Sequence, residues 1–339
     1  MVKTDYLIVG CGLYGAVLAE RISNILRKKV IIIDRRNHIA GNCYSLKDSS
    51  TGIEYHKYGT HTFHTDHEIV WNYANQFTTF NCYRHQSLAR YKNKIYQLPI
   101  NLETINSFFN KNFNPDQAKR HLEKLTKPYQ KQKGFNFETK ALSQIGKELY
   151  QAFIRNYTIK HWRKDPKKLP STIFNRLPLR FNYSENYQKN CKWNGIPDDG
   201  YTNFVSNILD NKKISIDLNN NFNLVNNKFR VKYFTIYTGP LDRIFKFKHA
   251  KLEWRSLKFE KQIFNTTDYQ GNSVINYPEL KYKFTRIHEP KHIHVDRKYF
   301  NLKKTLIIKE FPTYNNNEPF YPVNDIKNKQ IQKMYVRSA

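Results

Sequence analysis

The first forty residues carry the clearest pattern of apolar and polar positions. Residues 4–10, "TDYLIVG", form a short apolar run that predicts a buried strand. The segment "GCGLYGAVLAERISNIL" opens on glycines and continues at helical spacing, and "KKVIIID" is a second buried run that ends at Asp34. The pattern therefore predicts a strand, a glycine turn, a helix and a second strand.

The rest of the chain changes character twice. Residues 101–190, with segments such as "PDQAKRHLEKL" and "ETKALSQIGKELYQAFIRNYTIKHW", have the spacing of helices. From Pro197 an α/β pattern returns, with "GYTNFVSNIL" as a helix and "KKISIDL" and "YFTIYTGP" as strands. Later stretches such as "KLEWRSLKFEKQIF" and "KTLIIKEFP" alternate as in an antiparallel sheet.

The glycine turn has the spacing of a dinucleotide site. Gly10, Gly12 and Gly15 form G-x-G-x-x-G between a strand and a helix, and Asp34 closes the next strand. The first glycine allows the tight turn, the second admits a pyrophosphate and the third lets the helix pack on the strand, while the acid accepts from ribose hydroxyls. A second glycine loop, at Gly41, suits the longer FAD better than NAD, but this pattern does not decide between them.

Composition narrows the class of protein. There are 57 Lys and Arg against 28 Asp and Glu, a net charge of +29, which favours anionic partners or indicates only solvated lysines. We expect no nucleic-acid binding, because the basic residues spread along the whole chain and no reader motif occurs. No apolar run is long enough for a membrane span, no signal peptide is predicted, and four cysteines without CxxC fit a reduced, cytoplasmic protein.

A series of segments resembles the bacterial UDP-galactopyranose mutases. In order they are "GCGLYGAVLAERI", "RRNHIAGNCY", "HKYGTHTFHTD", "YTIKHW", "RLPLRFNYSENY", "GIPDDGYT", "WRSLKFE", "VINYPELKYKFTRIHEPKH" and "FYPVND". The resemblance implies an isomerase that interconverts UDP-galactopyranose and UDP-galactofuranose for cell-surface glycans, with nitrogen N5 of reduced FAD attacking the anomeric carbon. It also implies priming by NAD(P)H or another reductant, and a homodimer.

Pattern and resemblance together give an α/β fold in three parts. We expect a Rossmann-like FAD-binding domain from residues 1–80 and 195–242. A helical domain with a mobile loop would span residues 100–190. An antiparallel-sheet substrate domain would combine residues 81–99 with 243–325.

The resemblance also assigns site residues. Besides the three glycines, it assigns to FAD the positions Leu13, Asp34, Arg35, Asn42, His61, Thr62 and Phe222. It assigns to the nucleotide sugar Tyr157, Thr158, Trp162, Arg176, Tyr187, Asn276, Arg286 and Tyr321. Arg176 and Arg286 would bind the diphosphate, because a guanidinium forks onto phosphate oxygens as lysine cannot.

Two of the three histidines in "GTHTFHTDHEIVW", residues 59–71, are His61 and His64, which could be metal ligands, flavin neighbours or packing residues. We expect no metal, because no nearby segment supplies further ligands at suitable spacing. The resemblance makes His64 a catalytic residue beside the flavin, with packing as its alternative.

The chain also departs from the family. Ala40 replaces a glycine, a mild change unless position 40 needs a positive φ, and a substrate-side asparagine is replaced near His85. After "FYPVND" we expect the last strand and helix of the family's FAD-binding domain to be absent, so the sequence is either a fragment or that of a protein without these elements. Their loss would predict poor solubility or partner dependence. The alternatives are therefore an inactive remnant of this flavoprotein family, a conventional FAD oxidoreductase, or a basic nucleic-acid binder.

Overall fold

The structure, a computed structural model, divides the chain into two compact units. It describes residues 1–130, 136–176, 179–187, 191–223, 228–294, 296–313 and 318–338, with only the main chain described for residues 175 and 176. The first unit comprises Met1–Tyr83, Lys192–Leu252 and Gln330–Ala339, and the second comprises Arg84–Cys191 and Glu253–Lys329. Among the described helices, none is both long and apolar enough to cross a membrane.

The first unit is built on a four-stranded parallel sheet. Its strands are β1 (Val2–Val9), β2 (Val30–Ile33), β9 (Ile214–Asp217) and β10 (Phe229–Tyr237). They lie in the order β10-β1-β2-β9, so β10 reaches back to pair with β1. The predicted strand–turn–helix–strand unit at the N-terminus is confirmed.

Helices cover one face of this sheet. α1 (Leu13–Asn24) and α7 (Gly200–Leu209) pack against the sheet through a buried core that includes Ile8, Ile32 and Phe204. The remaining elements of the unit are β3 (Ser45–Lys47), β4 (Glu54–His56), β5 (Phe63–Thr65), α2 (Glu68–Ala74), β8 (Trp193–Gly195), α8 (Leu241–Ile244) and a 3-10 turn at Gly41–Cys43.

After two strands, the second unit continues with helices, as the spacing of residues 101–190 predicts. They are α3 (Leu102–Phe109), α4 (Pro115–Thr126), α5 (Phe137–Leu149) and α6 (Asn156–Trp162), with a π-helical turn at Tyr150–Arg155 and 3-10 turns at Lys127–Tyr129, Pro166–Lys168 and Ser171–Arg176. Asn101, Asn114 and Asn136 each form a capping box, which satisfies main-chain N–H groups and fixes where α3 to α5 begin.

A seven-stranded sheet completes the second unit. Its strands are β6 (Ser87–Tyr91), β7 (Lys94–Leu98), β11 (Trp254–Phe264), β12 (Val274–Asn276), β13 (Arg286–His288), β14 (Thr305–Thr313) and β15 (Tyr321–Pro322), with 3-10 turns at Pro290–Ile293 and Lys298–Asn301. The order is β15-β11-β14-β13-β12-β6-β7. The pairs are antiparallel except β6–β12, which is parallel.

The last helix, α9 (Ile326–Ser338), is divided between the units. Its Tyr335 is fully buried in the first unit, where the hydroxyl donates to the Ala250 carbonyl at 2.7 Å. The second unit holds both the helical segment and the sheet. The division of the chain into three functional parts, expected from the sequence, therefore stays a prediction.

Candidate nucleotide and substrate sites

The glycine turn of the first unit leaves no space for side chains at two of its three glycines. A Cβ on Gly15 would lie 2.1 Å from the Gly10 carbonyl oxygen, and one on Gly10, whose φ is +116°, would lie 2.0 Å from Oγ1 of Thr238. Gly12 differs, because a Cβ there would meet only the Gly41 Cα at 3.8 Å. Gly10 and Gly15 are therefore required by the packing of the turn, whereas Gly12 leaves its outer side open.

The second glycine loop comes up against this turn. Gly12 and Ala40 form a parallel β-bridge, and a Cβ on Gly41 would lie 2.9 Å from the Gly12 Cα. Ala40 has a φ of +69°, the left-handed region that glycine adopts without strain. Because position 40 has a positive φ, the replacement of glycine by Ala40 is not a mild change.

Asp34 links the turn to the end of β2. Its carboxylate accepts from the main-chain N–H of Cys11 at 2.7 Å and of Arg36 at 2.9 Å. In the described part of the chain, no side chain caps the N-terminus of α1, which begins after Gly12. N–H groups at the start of this helix therefore face the open side of the turn, the usual arrangement for binding phosphate.

Three of the other predicted cofactor positions are close to these two loops in sequence, and Phe222 comes later in the chain. Leu13 is the first residue of α1, Arg35 follows Asp34, and Asn42 accepts from Nη2 of Arg36 at 2.9 Å. Phe222 is half-buried beside Tyr237 of β10, with ring centroids 6.2 Å apart.

His61 and Thr62 immediately precede β5, and His64 is its middle residue. The main-chain N–H of His61 donates to Nδ1 of His56 at 2.9 Å, and its own Nδ1 lies 2.7 Å from the Gly59 carbonyl oxygen. His64 is exposed on β5, which pairs with β8. Among the described residues, neither histidine belongs to a group of three potential metal ligands.

In the second unit, strand register brings three polar residues side by side. Asn276 of β12 lies opposite Arg286 of β13, and Arg286 lies opposite Glu310 of β14. Because residues directly opposite on neighbouring strands share a face, their side chains project together. Nδ2 of Asn276 donates to Oγ of Ser87 at 2.6 Å, which fixes its amide at one end of the row.

Glu310 and Arg286 form the charged centre of this row. The Glu310 side chain is 2% exposed, with Oε1 3.3 Å from Nε of Arg286 and Oε2 3.2 Å from Nε2 of His288. Burial alone would raise the pKa of Glu310, but the Arg286 guanidinium and His288 lower it to about 2. Burial alone would lower the pKa of Arg286, and the Glu310 carboxylate raises it well above its usual range. The pair therefore stays charged at neutral pH.

Helix α6 supplies the aromatic side of the cluster. Nη2 of Arg286 donates to the Tyr157 hydroxyl, and burial raises the pKa of Tyr157 to about 12, so this hydroxyl stays protonated. His161, one turn further on, stacks parallel to Tyr157 with centroids 6.0 Å apart and lies 5.2 Å from the Tyr321 ring. Burial lowers the pKa of His161 to about 4, so its imidazole is neutral at pH 7.

The remaining substrate positions lie around this cluster. Tyr187 makes an edge contact with His85 at 5.4 Å between centroids, and burial lowers the pKa of His85 to about 4. Thr158 is buried on α6, and Trp162 ends that helix half-buried. The Trp162 carbonyl oxygen accepts from Nε of Arg255 at 2.6 Å, which anchors the helix end with a buried cation. The side chain of Arg176 lies outside the described part of the chain.

Sequence reasoning missed Glu310, His161 and His288. The only signal was an acid at an inward position of an alternating strand, since Glu310 is buried on the same face of β14 as Ile308. A buried charge requires a partner, so this position was a place to look for the companion of Arg286.

Comparison with known proteins places both regions in one family. A family model described as UDP-galactopyranose mutase matches residues 152–339, and one described as NAD(P)-binding Rossmann-like domain matches residues 8–77. The chain is 38% identical to the "Probable UDP-galactopyranose mutase" of Klebsiella pneumoniae, over 100% of this chain and 86% of that protein. It is 35% identical to the dTDP-fucopyranose mutase of Escherichia coli, over 98% of this chain and 88% of that protein.

A solved structure agrees at the level of the fold. The crystal structure of reduced UDP-galactopyranose mutase is similar with a TM-score of 0.69 at 15% identity, covering 94% of this chain and 76% of that one. With the family model and the full-length relatives, the chain belongs to the UDP-galactopyranose mutase family.

Proposed function

We propose that this protein is an FAD-dependent isomerase that interconverts UDP-galactopyranose and UDP-galactofuranose. The observation that carries the proposal is the charged row Asn276–Arg286–Glu310, flanked by the aromatic residues of α6. The partly exposed guanidinium of Arg286 beside aromatic rings suits a substrate with a dianionic diphosphate, a sugar and a flat base.

The two glycine loops fit FAD. Gly12, Gly41 and the start of α1 leave main-chain groups and no side chain along one surface, as a pyrophosphate requires. Asp34 and Arg35, which follow β2, and Asn42, which follows Gly41, would hold the adenosine half. In its reduced form the bound cofactor supplies a nucleophilic nitrogen for the anomeric carbon.

Arg286 has donors to spare for the substrate. Its Nε faces Glu310 and its Nη2 bonds Tyr157, while no described residue accepts a hydrogen bond from Nη1. The side chain is 28% exposed, so an anion can reach it. Cleavage of the anomeric C–O bond leaves charge on the diphosphate, which a fixed guanidinium stabilises without rearrangement. The half-buried rings of Tyr157 and Tyr321 would exclude water from the sugar.

A second nucleotide sugar is a specific alternative. The dTDP-fucopyranose mutase of Escherichia coli covers this chain almost as well as the Klebsiella protein does. A dTDP-linked 6-deoxy sugar has the same diphosphate but a different base, and it lacks two hydroxyls, one on the ribose and one on the sugar. The charged row would serve both substrates, so the base and the sugar must be tested separately.

The test is direct. Purified protein loaded with FAD and reduced with dithionite is given UDP-galactofuranose, and UDP-galactopyranose is measured by chromatography. We expect conversion without net consumption of reductant, and conversion of dTDP-fucofuranose at a kcat/KM at least tenfold lower. The reverse preference would favour the second substrate. In a parallel assay with NAD(P)H as the reductant, its consumption in proportion to product would identify a conventional oxidoreductase. No conversion of either nucleotide sugar by flavin-loaded protein would identify a remnant.

The cellular setting follows from the same reaction. We infer that the enzyme works in the cytoplasm, where NAD(P)H is available to prime the flavin. That it forms a homodimer stays a prediction, to be tested by light scattering of the flavin-loaded protein.

A further inference from the structure

Lys160 of α6 lies in an unusual environment. Its ammonium lies within hydrogen-bonding distance of four main-chain carbonyl oxygens, which share its three N–H groups: those of Tyr277, Glu279 (3.1 Å), Tyr282 (3.2 Å) and Phe284 (2.8 Å). All four belong to one segment, residues 277–284, which leads from β12 towards β13 and is called here the carbonyl loop. Surface lysines usually keep the ammonium in water, so four protein acceptors at one lysine require an explanation.

Few main-chain hydrogen bonds hold the carbonyl loop in this shape. The main-chain hydrogen bonds that close it are Tyr277 N–H to Thr285 and Tyr282 N–H to Glu279. Four carbonyl dipoles that converge on one point repel each other unless a cation lies between them, as ions do in carbonyl-lined sites. The rings of Tyr277, Tyr282 and Phe284 pack together at 4.9 to 5.5 Å and line the loop with apolar surface. The ammonium of Lys160 is thus the centre around which the loop closes.

The ammonium is charged at neutral pH despite this environment. Burial lowers the pKa of Lys160, the nearby Glu279 carboxylate partly opposes this, and the net pKa is about 8. Glu279 is itself engaged by Lys281 at 3.2 Å and by the main-chain N–H of Lys92 at 3.3 Å. The Lys160 ammonium therefore interacts mainly with the carbonyl oxygens and is not simply the ion-pair partner of Glu279.

Both ends of the carbonyl loop lead into the charged row. Asn276 immediately precedes the loop, Arg286 follows it after Thr285, and the two are opposite each other across β12 and β13. Tyr157, which accepts from Arg286, lies three residues before Lys160 on α6. Helix α6 therefore holds this part of the sheet at two points, the guanidinium and the carbonyl loop.

We propose that Lys160 is a positioning residue for the nucleotide-sugar site, whose ammonium closes the carbonyl loop and so fixes Arg286 against Tyr157. The inference rests on the proposed function for its effect on turnover, whereas the closing of the loop is a property of the free protein. Lys160 touches no substrate in this scheme. It acts through the carbonyl loop, which holds the Arg286 guanidinium in place. Without this support the guanidinium would no longer be preorganised for the diphosphate.

The test uses Lys160→Met, which keeps the length of the side chain and removes the charge. Its control is Lys281→Met, because Lys281 lies in the same loop but is 53% exposed with a single ion pair. We expect hydrogen exchange of residues 277–287 in the free, flavin-loaded protein to speed up at least tenfold in Lys160→Met only. We expect kcat/KM for UDP-galactofuranose to fall at least thirtyfold, with unchanged flavin content.

Chemical rescue separates a positioning cation from general damage. In Lys160→Ala the four carbonyl oxygens remain, so ammonium or methylammonium should restore at least a tenth of the lost kcat/KM, whereas tetramethylammonium at equal ionic strength should not. Should Lys160→Met fail to fold, Lys160→Arg keeps a cation and is expected to retain slow exchange in the loop.

The outcomes are distinct. Unchanged exchange in Lys160→Met overturns the proposal, and so does faster exchange with wild-type kcat/KM. An inactive wild-type enzyme would refute the proposed function and the effect on turnover, while exchange in residues 277–287 would still decide whether Lys160 closes the loop.

Discussion

The glycine turn after β1 is built from main chain, whereas the row around Arg286 is built from side chains. The turn depends on what is missing, since a Cβ at Gly10 or Gly15 would collide with neighbouring atoms at 2.0 to 2.1 Å. The row depends on what is present, since Arg286, Glu310 and Tyr157 each supply a partner to another.

This difference sets how each region fails. A main-chain site tolerates many substitutions nearby but almost none at its glycines. A side chain added at one of these glycines would collide with packed neighbours. A buried ion pair has the opposite weakness, because removing one member leaves the other charged and without a partner in a poorly solvated place. The following changes test that contrast, in order of decreasing expected effect.

The largest effect is expected from Glu310→Gln. The substitution keeps the shape of the side chain but leaves Arg286 without its buried counter-charge, which costs about 3 kcal/mol of the free energy of unfolding. Urea unfolding of the free protein measures it. Glu260→Gln is the control, since Glu260 pairs with Lys258 on the exposed part of β11 and its loss should cost less than about 0.5 kcal/mol. Equal losses in the two variants would show that Glu310 is not the counter-charge of Arg286.

The second effect depends on pH. His161 has a pKa of about 4 in the folded protein because burial favours the neutral ring, against about 6.5 when unfolded. Between these values the unfolded chain binds more protons, so stability falls as the pH drops from 6.5 towards 4. The contribution of His161 between pH 7 and pH 5 is about 2 kcal/mol. His161→Gln should unfold with a correspondingly weaker pH dependence, and a slope equal to that of the wild type would contradict the burial of a neutral ring.

The same contrast explains what could be predicted from the sequence. The β1–α1–β2 unit and its glycines are local, so an apolar run, a helical spacing and a fixed motif were enough to place them. The pairing of β10 with β1, across more than two hundred residues, leaves no local signal. Arg286 and Tyr157 were found only through resemblance, because nothing in the spacing of residues 157, 286 and 310 shows that they meet.

Polar residues with a structural task were the hardest to foresee. Lys160 looked like any lysine in a chain of net charge +29, and Glu310 looked like the polar member of an alternating strand. Their roles depend on which carbonyls and which guanidinium the fold brings to them. The helical segment was easier, because Asn101, Asn114 and Asn136 start their helices by contacts within four residues.

The third change, Gly12→Ala, separates folding from cofactor binding. Gly12 has an ordinary φ of −81°, and its added methyl would meet only the Gly41 Cα at 3.8 Å, so the apoprotein should keep its stability. The methyl would project where a pyrophosphate approaches, and FAD should bind at least tenfold more weakly, about 1.4 kcal/mol. Flavin absorbance after dialysis measures it. In the control, Gly52→Ala, a positive φ of +68° costs about 1 kcal/mol of stability but flavin is retained.

The smallest effect concerns Ala40, whose left-handed backbone stores strain at the bridge to Gly12. Ala40→Gly relieves about 1–2 kcal/mol of that strain but loses a buried methyl, worth about 0.8 kcal/mol, and adds freedom to the unfolded chain. These terms nearly cancel, so stability should change by less than about 0.5 kcal/mol.

Ala19→Gly in α1 gives the matched reference, because Ala19 is fully buried but helical. It loses the same methyl without any relief of strain and should cost about 1.5 kcal/mol. The difference between the two variants, measured by urea unfolding of the apoprotein, isolates the cost of the backbone at position 40. Equal losses would mean that residue 40 does not hold a positive φ in solution, and the second glycine loop would then need another way to meet the first.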